Sequence, residues 1–94
     1  RDLSYLIHDH SKYLLLQKYI DNLDEEILKE VFIFDYFLAK NTNEIKIGFR
    51  FIFQDTKSTV TESKVNDIMN VIIQNSFKIR GVNIPGIDKT NSVV

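Results

Sequence analysis

Between positions 31 and 54 two apolar-alternating runs stand back to back. The second carries Ile45, Ile47, Phe49, Phe51 and Phe53 on one side and Lys46, Gly48, Arg50 and Ile52 on the other. A period of two is the mark of a strand with one buried face. The first run, 31–38, places Phe32, Phe34 and Tyr36 on one side and Val31, Ile33, Asp35 and Phe37 on the other. The polar link 39–44 predicts that the two runs pair as an antiparallel hairpin. With the bulky set of each strand turned to the core, the opposite face shows Asp35, Phe37, Lys46 and Arg50. A carboxylate, a ring and two cations then share one open sheet surface, a platform suited to a nucleobase and its phosphate.

The flanking sequence supplies the other elements. Leu3, Tyr5 and Ile7 alternate with Ser4, Leu6 and His8, which predicts a first strand of about six residues. Asp9 or Ser11 can cap a following helix by accepting a free backbone N–H. In that helix Leu15, Leu16, Tyr19, Ile20 and Leu23 recur at three and four, forming an apolar stripe. The acidic stretch 21–26 ends it, and strands are predicted over 27–38 and 44–54. Asp55-Thr56-Lys57-Ser58 reads as a polar turn. Thr61 is a good N-cap, with Glu62 in the first turn, where the helix dipole favours an anion. Lys64 occupies the position a reciprocal capping box reserves for Glu or Gln. Val65, Ile68, Met69 and Ile72 form a second stripe, and Val82 and Ile84 suggest a short last strand ending at Pro85-Gly86. The order β-α-β-β-α-β predicts an α+β, ferredoxin-like sandwich: a four-stranded antiparallel sheet with both helices on one face and the other face free. The domain is expected over 1–87, with 88–94 a frayed tail.

Bulk properties narrow the chemistry. Ninety-four residues, 44% of them apolar, make one domain with a core that needs no staple. The absence of cysteine excludes disulfides, thiolate catalysis and Cys-based zinc sites. Cytoplasm is the natural expectation, and no stretch reaches the length of a membrane span. The chain opens on Arg1 already in strand pattern, so it is expected to be part of a longer polypeptide. A net charge of −1 argues against a binder held mainly by phosphate contacts, though not against a domain that touches a few nucleotides. The charges are segregated: Asp21, Asp24, Glu25, Glu26 and Glu30 crowd one connection, while Lys40, Lys46, Arg50 and Lys57 surround the hairpin.

Four stretches taken together resemble a known module: Arg1-Asp2-Leu3-Ser4, Val31-Phe32-Ile33-Phe34-Asp35-Tyr36-Phe37, Ile47-Gly48-Phe49-Arg50-Phe51-Ile52-Phe53-Gln54, and Thr59-Val60-Thr61-Glu62 with Val65-Asn66. Their order and spacing are similar to the ferredoxin-fold anticodon-binding domain at the C-terminus of the phenylalanyl-tRNA synthetase β subunit, over about residues 1 to 86. That resemblance implies a module packing beside the anticodon stem-loop of tRNA-Phe, in a class II enzyme whose active site lies outside this segment. It implies partners in the remaining domains of the β subunit and in the α subunit. It implies no cofactor in this domain, ATP and Mg being used by the parent enzyme elsewhere. The family's Phe-Asp-x-Tyr strand supplies a carboxylate and a ring to the first anticodon base, and those positions match Asp35 and Phe37, the latter lacking the phenolic hydroxyl. The family's small hydroxyl residue on the facing strand falls at Lys46, where a lysine can exchange a base contact for a phosphate contact. Ile84-Pro85 stands where the family often has Leu-Arg, so no arginine contact carries over there.

The residues support the same chemistry on their own terms. A base stacked on Phe37 gains about 1–3 kcal/mol. Asp35 as a carboxylate accepts N–H donors and so suits the N1–H and N2–H₂ edge of guanine. Arg50 and Lys46 can hold phosphates or offset Asp35. Against these stand packing of Phe37 on a neighbouring domain and a cross-strand ion pair between Arg50 and Asp35. Other motifs carry less. His8-Asp9-His10 lacks a nearby third metal ligand and reads as solvated loop. Neither Ser4 nor Ser58 is spaced to meet a base and an orienting acid, and Gly48, Gly81 and Gly86 make no phosphate loop. Lys78-Ile79-Arg80 is either a contact to the anticodon stem or a solvated turn. A ferredoxin-like small-molecule (amino-acid) regulatory or protein-interaction domain is the alternative function. It usually needs a Gly-rich turn after the first strand, where this chain has His8-Asp9-His10-Ser11. An acylphosphatase-like enzyme would want an anion loop bearing Arg at that place.

Overall fold

The computed structural model describes residues 1–87; the tail expected over 88–94 lies outside the described residues. The elements are β1 (Asp2–Ile7), α1 (His10–Asp21), β2 (Leu28–Leu38), β3 (Ile45–Phe53), α2 (Glu62–Phe77) and β4 (Val82–Asn83). The four strands form one antiparallel sheet in the order β2-β3-β1-β4, which is the ferredoxin-like α+β arrangement. β2 is therefore an edge strand, and its long hairpin with β3 is the largest piece of the sheet.

Local chemistry sets the element ends. Asp9 caps α1 by accepting from Ser11 N at 3.0 Å, and Thr61 caps α2 by accepting from Lys64 N at 3.3 Å. Of the two candidate caps for α1, Asp9 is thus the one used. Asp55 shapes its turn by accepting from Lys57 N at 2.9 Å and Ser58 Oγ at 3.1 Å. The β2–β3 hairpin closes through Ala39 N to Glu44 O and Asn43 N to Ala39 O, both 2.9 Å. Asn43 takes φ +57 there, a left-handed conformation that asparagine tolerates better than most residues.

One side of the sheet carries the core. Leu3, Tyr5 and Ile7 of β1 and Ile45, Ile47, Phe49 and Phe51 of β3 are buried against Leu16 and Ile20 of α1 and Val65, Met69 and Ile72 of α2. The α2 set follows the three-and-four spacing of an inward stripe. The α1 stripe differs from expectation: Leu15 is half exposed, and Tyr13 turns inward instead, its ring edge against Tyr36 at 6.5 Å. The one buried polar residue among those described, Ser76, accepts from the Tyr5 hydroxyl at 2.9 Å and donates to Ile72 O at 2.7 Å. That pair ties the middle of β1 to α2. The last strand is shorter than expected, since Ile84 leaves β4 and bridges to Ile87 in a turn.

Candidate nucleic-acid interface

The pairing register shows what faces away from the helices. Residues directly opposite in an antiparallel pair share a face. Because Ile45, Ile47 and Phe49 are buried toward the helices, Lys46, Gly48 and Arg50 belong to the other side. Their β1 partners Leu6, Ser4 and Asp2 therefore join them. On β2, Phe37 pairs with Lys46, Asp35 with Gly48 and Phe32 with Arg50. All four residues singled out by the alternation, Asp35, Phe37, Lys46 and Arg50, thus share the open face. Asp35 and Lys46 are exposed, Phe37 is 57% exposed and Arg50 is half-buried.

The rest of β2 corrects the sequence expectation. Plain alternation would set Phe32 and Phe34 beside Tyr36 on the core side. The ladder instead skips a residue between Ile33 and Asp35, a β-bulge that places Phe34 and Asp35 together opposite Gly48. Before the bulge, Val31 and Ile33 face the helices and Phe32 faces out; after it, Tyr36 faces the helices and Phe37 faces out. Phe34 also lies on the open face, its ring over Gly48 and under the Arg50 guanidinium, whose carbon is 4.8 Å from the ring centre. Register and contacts, not exposure, put Phe32 and Phe34 on the open face: they are 40% and 39% exposed, against 42% for Ile33 on the helix side.

The predicted cross-strand partner of Arg50 also changes. Its Nε donates to Asp2 Oδ1 at 2.8 Å and its Nη2 to Asp2 Oδ2 at 3.0 Å, a two-pronged pair along the β1–β3 register. The hydrogen bonds from Arg50 hold the Asp2 carboxyl below the usual carboxylate range, and Asp2 in turn raises Arg50. Asp35 forms no ion pair or side-chain hydrogen bond among the described residues, and neither does Lys46. One acid and one cation on the open face are therefore uncommitted, beside an exposed ring.

The platform residues that sequence reasoning missed are Phe32, Phe34 and Asp2. Gly48 was the available signal for Phe34, since a glycine inside a strand often marks a bulge or a close approach. Nothing in the sequence pointed from Asp2 to Arg50, 48 positions away. The two histidines are engaged locally: His8 Nδ1 is 3.0 Å from Glu44 Oε2, and the His10 ring tilts against Tyr13 at 6.2 Å. A cleft of about 430 Å³ lies beside them, lined by His8, Asp9, His10, Leu38 and Asn43. No group of three or more metal-ligating side chains occurs among the described residues. No helix among them is long and apolar enough to cross a membrane.

Residues 1–84 match the family model for the ferredoxin-fold anticodon binding domain. The chain belongs to that family. It is similar to the phenylalanine–tRNA ligase β subunit of Campylobacter jejuni, 32% identical over 85 residues that cover 89% of this chain and 11% of the relative. The β subunit of the same ligase from Bacteroides thetaiotaomicron is 27% identical over 77 residues, covering 80% of this chain and 9% of the relative. That from Bacteroides fragilis aligns over the same span at the same identity. The chain thus spans about a tenth of the length of the curated relatives it matches. Membership in the anticodon-binding family agrees with an open sheet face that carries rings, an acid and cations.

Proposed function

We propose that this anticodon-binding domain seats an unpaired base of the tRNA-Phe anticodon loop on its open sheet face, as a module of a phenylalanine–tRNA ligase β subunit. The observation that carries the reading is that Asp35 and Phe37 stand exposed together on that face, the acid uncommitted, with Lys46 across the ladder from the ring. Phe37 offers a stacking surface. Asp35 accepts from the N1–H and N2–H₂ edge of guanine and repels an edge made only of acceptors. Lys46 meets the phosphate. Arg50, two residues along β3 from Gly48, lies on the same face.

In this proposal the domain has no catalytic step and no cofactor of its own. It orients the tRNA for charging at a class II active site elsewhere in the enzyme, where ATP and Mg are used, in the cytoplasm. Its other partners are the remaining domains of the β subunit and the α subunit. The test is made in the ligase that carries the domain. Asp35→Ala or Phe37→Ala is expected to impair tRNA charging while phenylalanine activation, followed by pyrophosphate exchange, hardly changes. Charging that stays at the wild-type level would overturn the proposal; equal loss in both assays would mean only damage to folding or assembly.

A further inference from the structure

One column of side chains crosses three strands of the open face. Asp2 on β1 holds the Arg50 fork of β3 through both carboxylate oxygens. Arg50 lies over the Phe34 ring of β2. The tip of that ring rests on Gly48 so closely that a Cβ at position 48 would stand 2.7 Å from it. Phe34 is the extra residue of the β2 bulge, and Asp35 follows it directly.

The bulge decides which way the recognition residues point. If β2 continued from Ile33 opposite Phe49 without it, Phe34 would oppose Gly48, Asp35 would oppose Ile47 and Phe37 would oppose Ile45. A slip of one residue sends every following side chain to the other face. Asp35 and Phe37 would then face the helices, and Tyr36 and Leu38 the open side. The Phe34 ring sits in the space Gly48 leaves and is covered by Arg50. Arg50 is poorly placed to grip a phosphate, because two of its donors and one face of its plane are already engaged and Asp2 offsets its charge.

Resting on the reading above, we infer that Arg50, with Asp2 and Gly48, positions Asp35 and Phe37 by holding the β2 bulge, and is not a phosphate ligand. The experiment uses this chain and the anticodon hairpin of tRNA-Phe, with guanine or adenine at the first anticodon position. Arg50→Lys keeps the charge but loses the planar fork; Arg50→Gln loses both; Asp2→Asn releases the fork. All three are expected to lower the preference for guanine by about tenfold, the scale of one charge-assisted hydrogen bond. The salt dependence of affinity should be unchanged in Arg50→Gln and shallower in Lys46→Ala. Tighter binding by Asp2→Asn, retained preference in Arg50→Lys, or a shallower salt slope in Arg50→Gln would overturn the inference.

A second measurement needs no RNA. In the free chain, Gly48→Ala and Arg50→Gln are expected to move the amide signals of Asp35 and Tyr36 and to speed their hydrogen exchange. Unchanged signals there would sink the positioning role whatever the hairpin does. Arg50 is half-buried and outside the core cluster, so its variants should fold even if Gly48→Ala does not. Failure of the wild-type chain to bind the hairpin would instead strike the proposed function, leaving the amide signals to judge the bulge.

Discussion

The Tyr5 hydroxyl gives a test of the core whose sign reverses with pH. Tyr5 is 1% exposed, its ring edge meets Phe49 at 5.8 Å, and its hydroxyl bonds Ser76 Oγ at 2.9 Å. Ser76 already donates to Ile72 O, so the Tyr5 hydroxyl is the donor in that pair. Tyr5→Phe removes one buried hydrogen bond and is expected to cost about 0.5–1.5 kcal/mol at neutral pH. Burial is the largest influence on the phenol and pushes its pKa from 10.0 up to about 12, the Ser76 bond partly opposing. A group whose folded value is raised contributes stability that is whole below the unfolded value and is lost as pH rises through the folded one. Two units correspond to about 2.7 kcal/mol in all, with about half of it gone by about pH 11. Tyr5→Phe has no such loss, and the other tyrosines are common to both proteins. The wild type should therefore lead at about pH 7, draw level near pH 11 and fall behind beyond it, as read from urea unfolding followed by circular dichroism. A gap that stays constant across that range would refute the reasoning, because it would mean that the hydroxyl ionises in the folded state as easily as in water.

Further outcomes can be measured with the same chain. Phe37→Ala should weaken binding of the anticodon hairpin by roughly 5- to 150-fold, the equivalent of about 1–3 kcal/mol of stacking, with little change in Tm; Phe37→Tyr should keep the affinity. Affinity that falls only in step with Tm would argue against a stacking role. Leu16→Ala, at a fully buried position, should cost about 2–5 kcal/mol in urea unfolding, whereas Leu14→Ala, 62% exposed, should stay within about 0.5 kcal/mol. Asp9 is held below the usual carboxylate range by its bonds from Ser11, the backbone N–H first. The stability it contributes is present above the unfolded value of 3.8 and lost as pH falls through the lower folded value. Asp9→Ala should thus melt below wild type at neutral pH, with the difference closing as pH falls below 3.8 and through the lower folded value.

Much of the fold was legible because β1, β3 and α2 each bury one face and show water the other. Their periods of two or of three and four then select both the element and its orientation, as at Ile45, Ile47, Phe49 and Phe51 or at Val65, Met69 and Ile72. β2 gave no such contrast. From Val31 to Phe37 nearly every position is apolar, so alternation could not say which set faces in, and the extra residue at Phe34 reversed the phase midway. The outward placement of Asp35 and Phe37 was therefore reached through a phase that holds only after the bulge. Leu15 was read as core because its spacing fits the α1 stripe. The edge position of β2 leaves that end of the helix layer with less to cover, and Tyr13 meets Tyr36 instead. The bond from Arg50 to Asp2 depends on the β1–β3 register, which no local pattern encodes.

The kink in β2 has a consequence for solubility. β2 borders the sheet with eleven residues, rich in rings and branched side chains on both surfaces, and no strand pairs with its outer edge among the described residues. A straight border of that composition would be a template for fibril growth. The interruption at Phe34, with a second irregularity between Leu28 and Glu30, breaks the regular ladder and bends the border, which works against straight stacking. A substitution that straightened this border would be expected to raise the chain's tendency to aggregate.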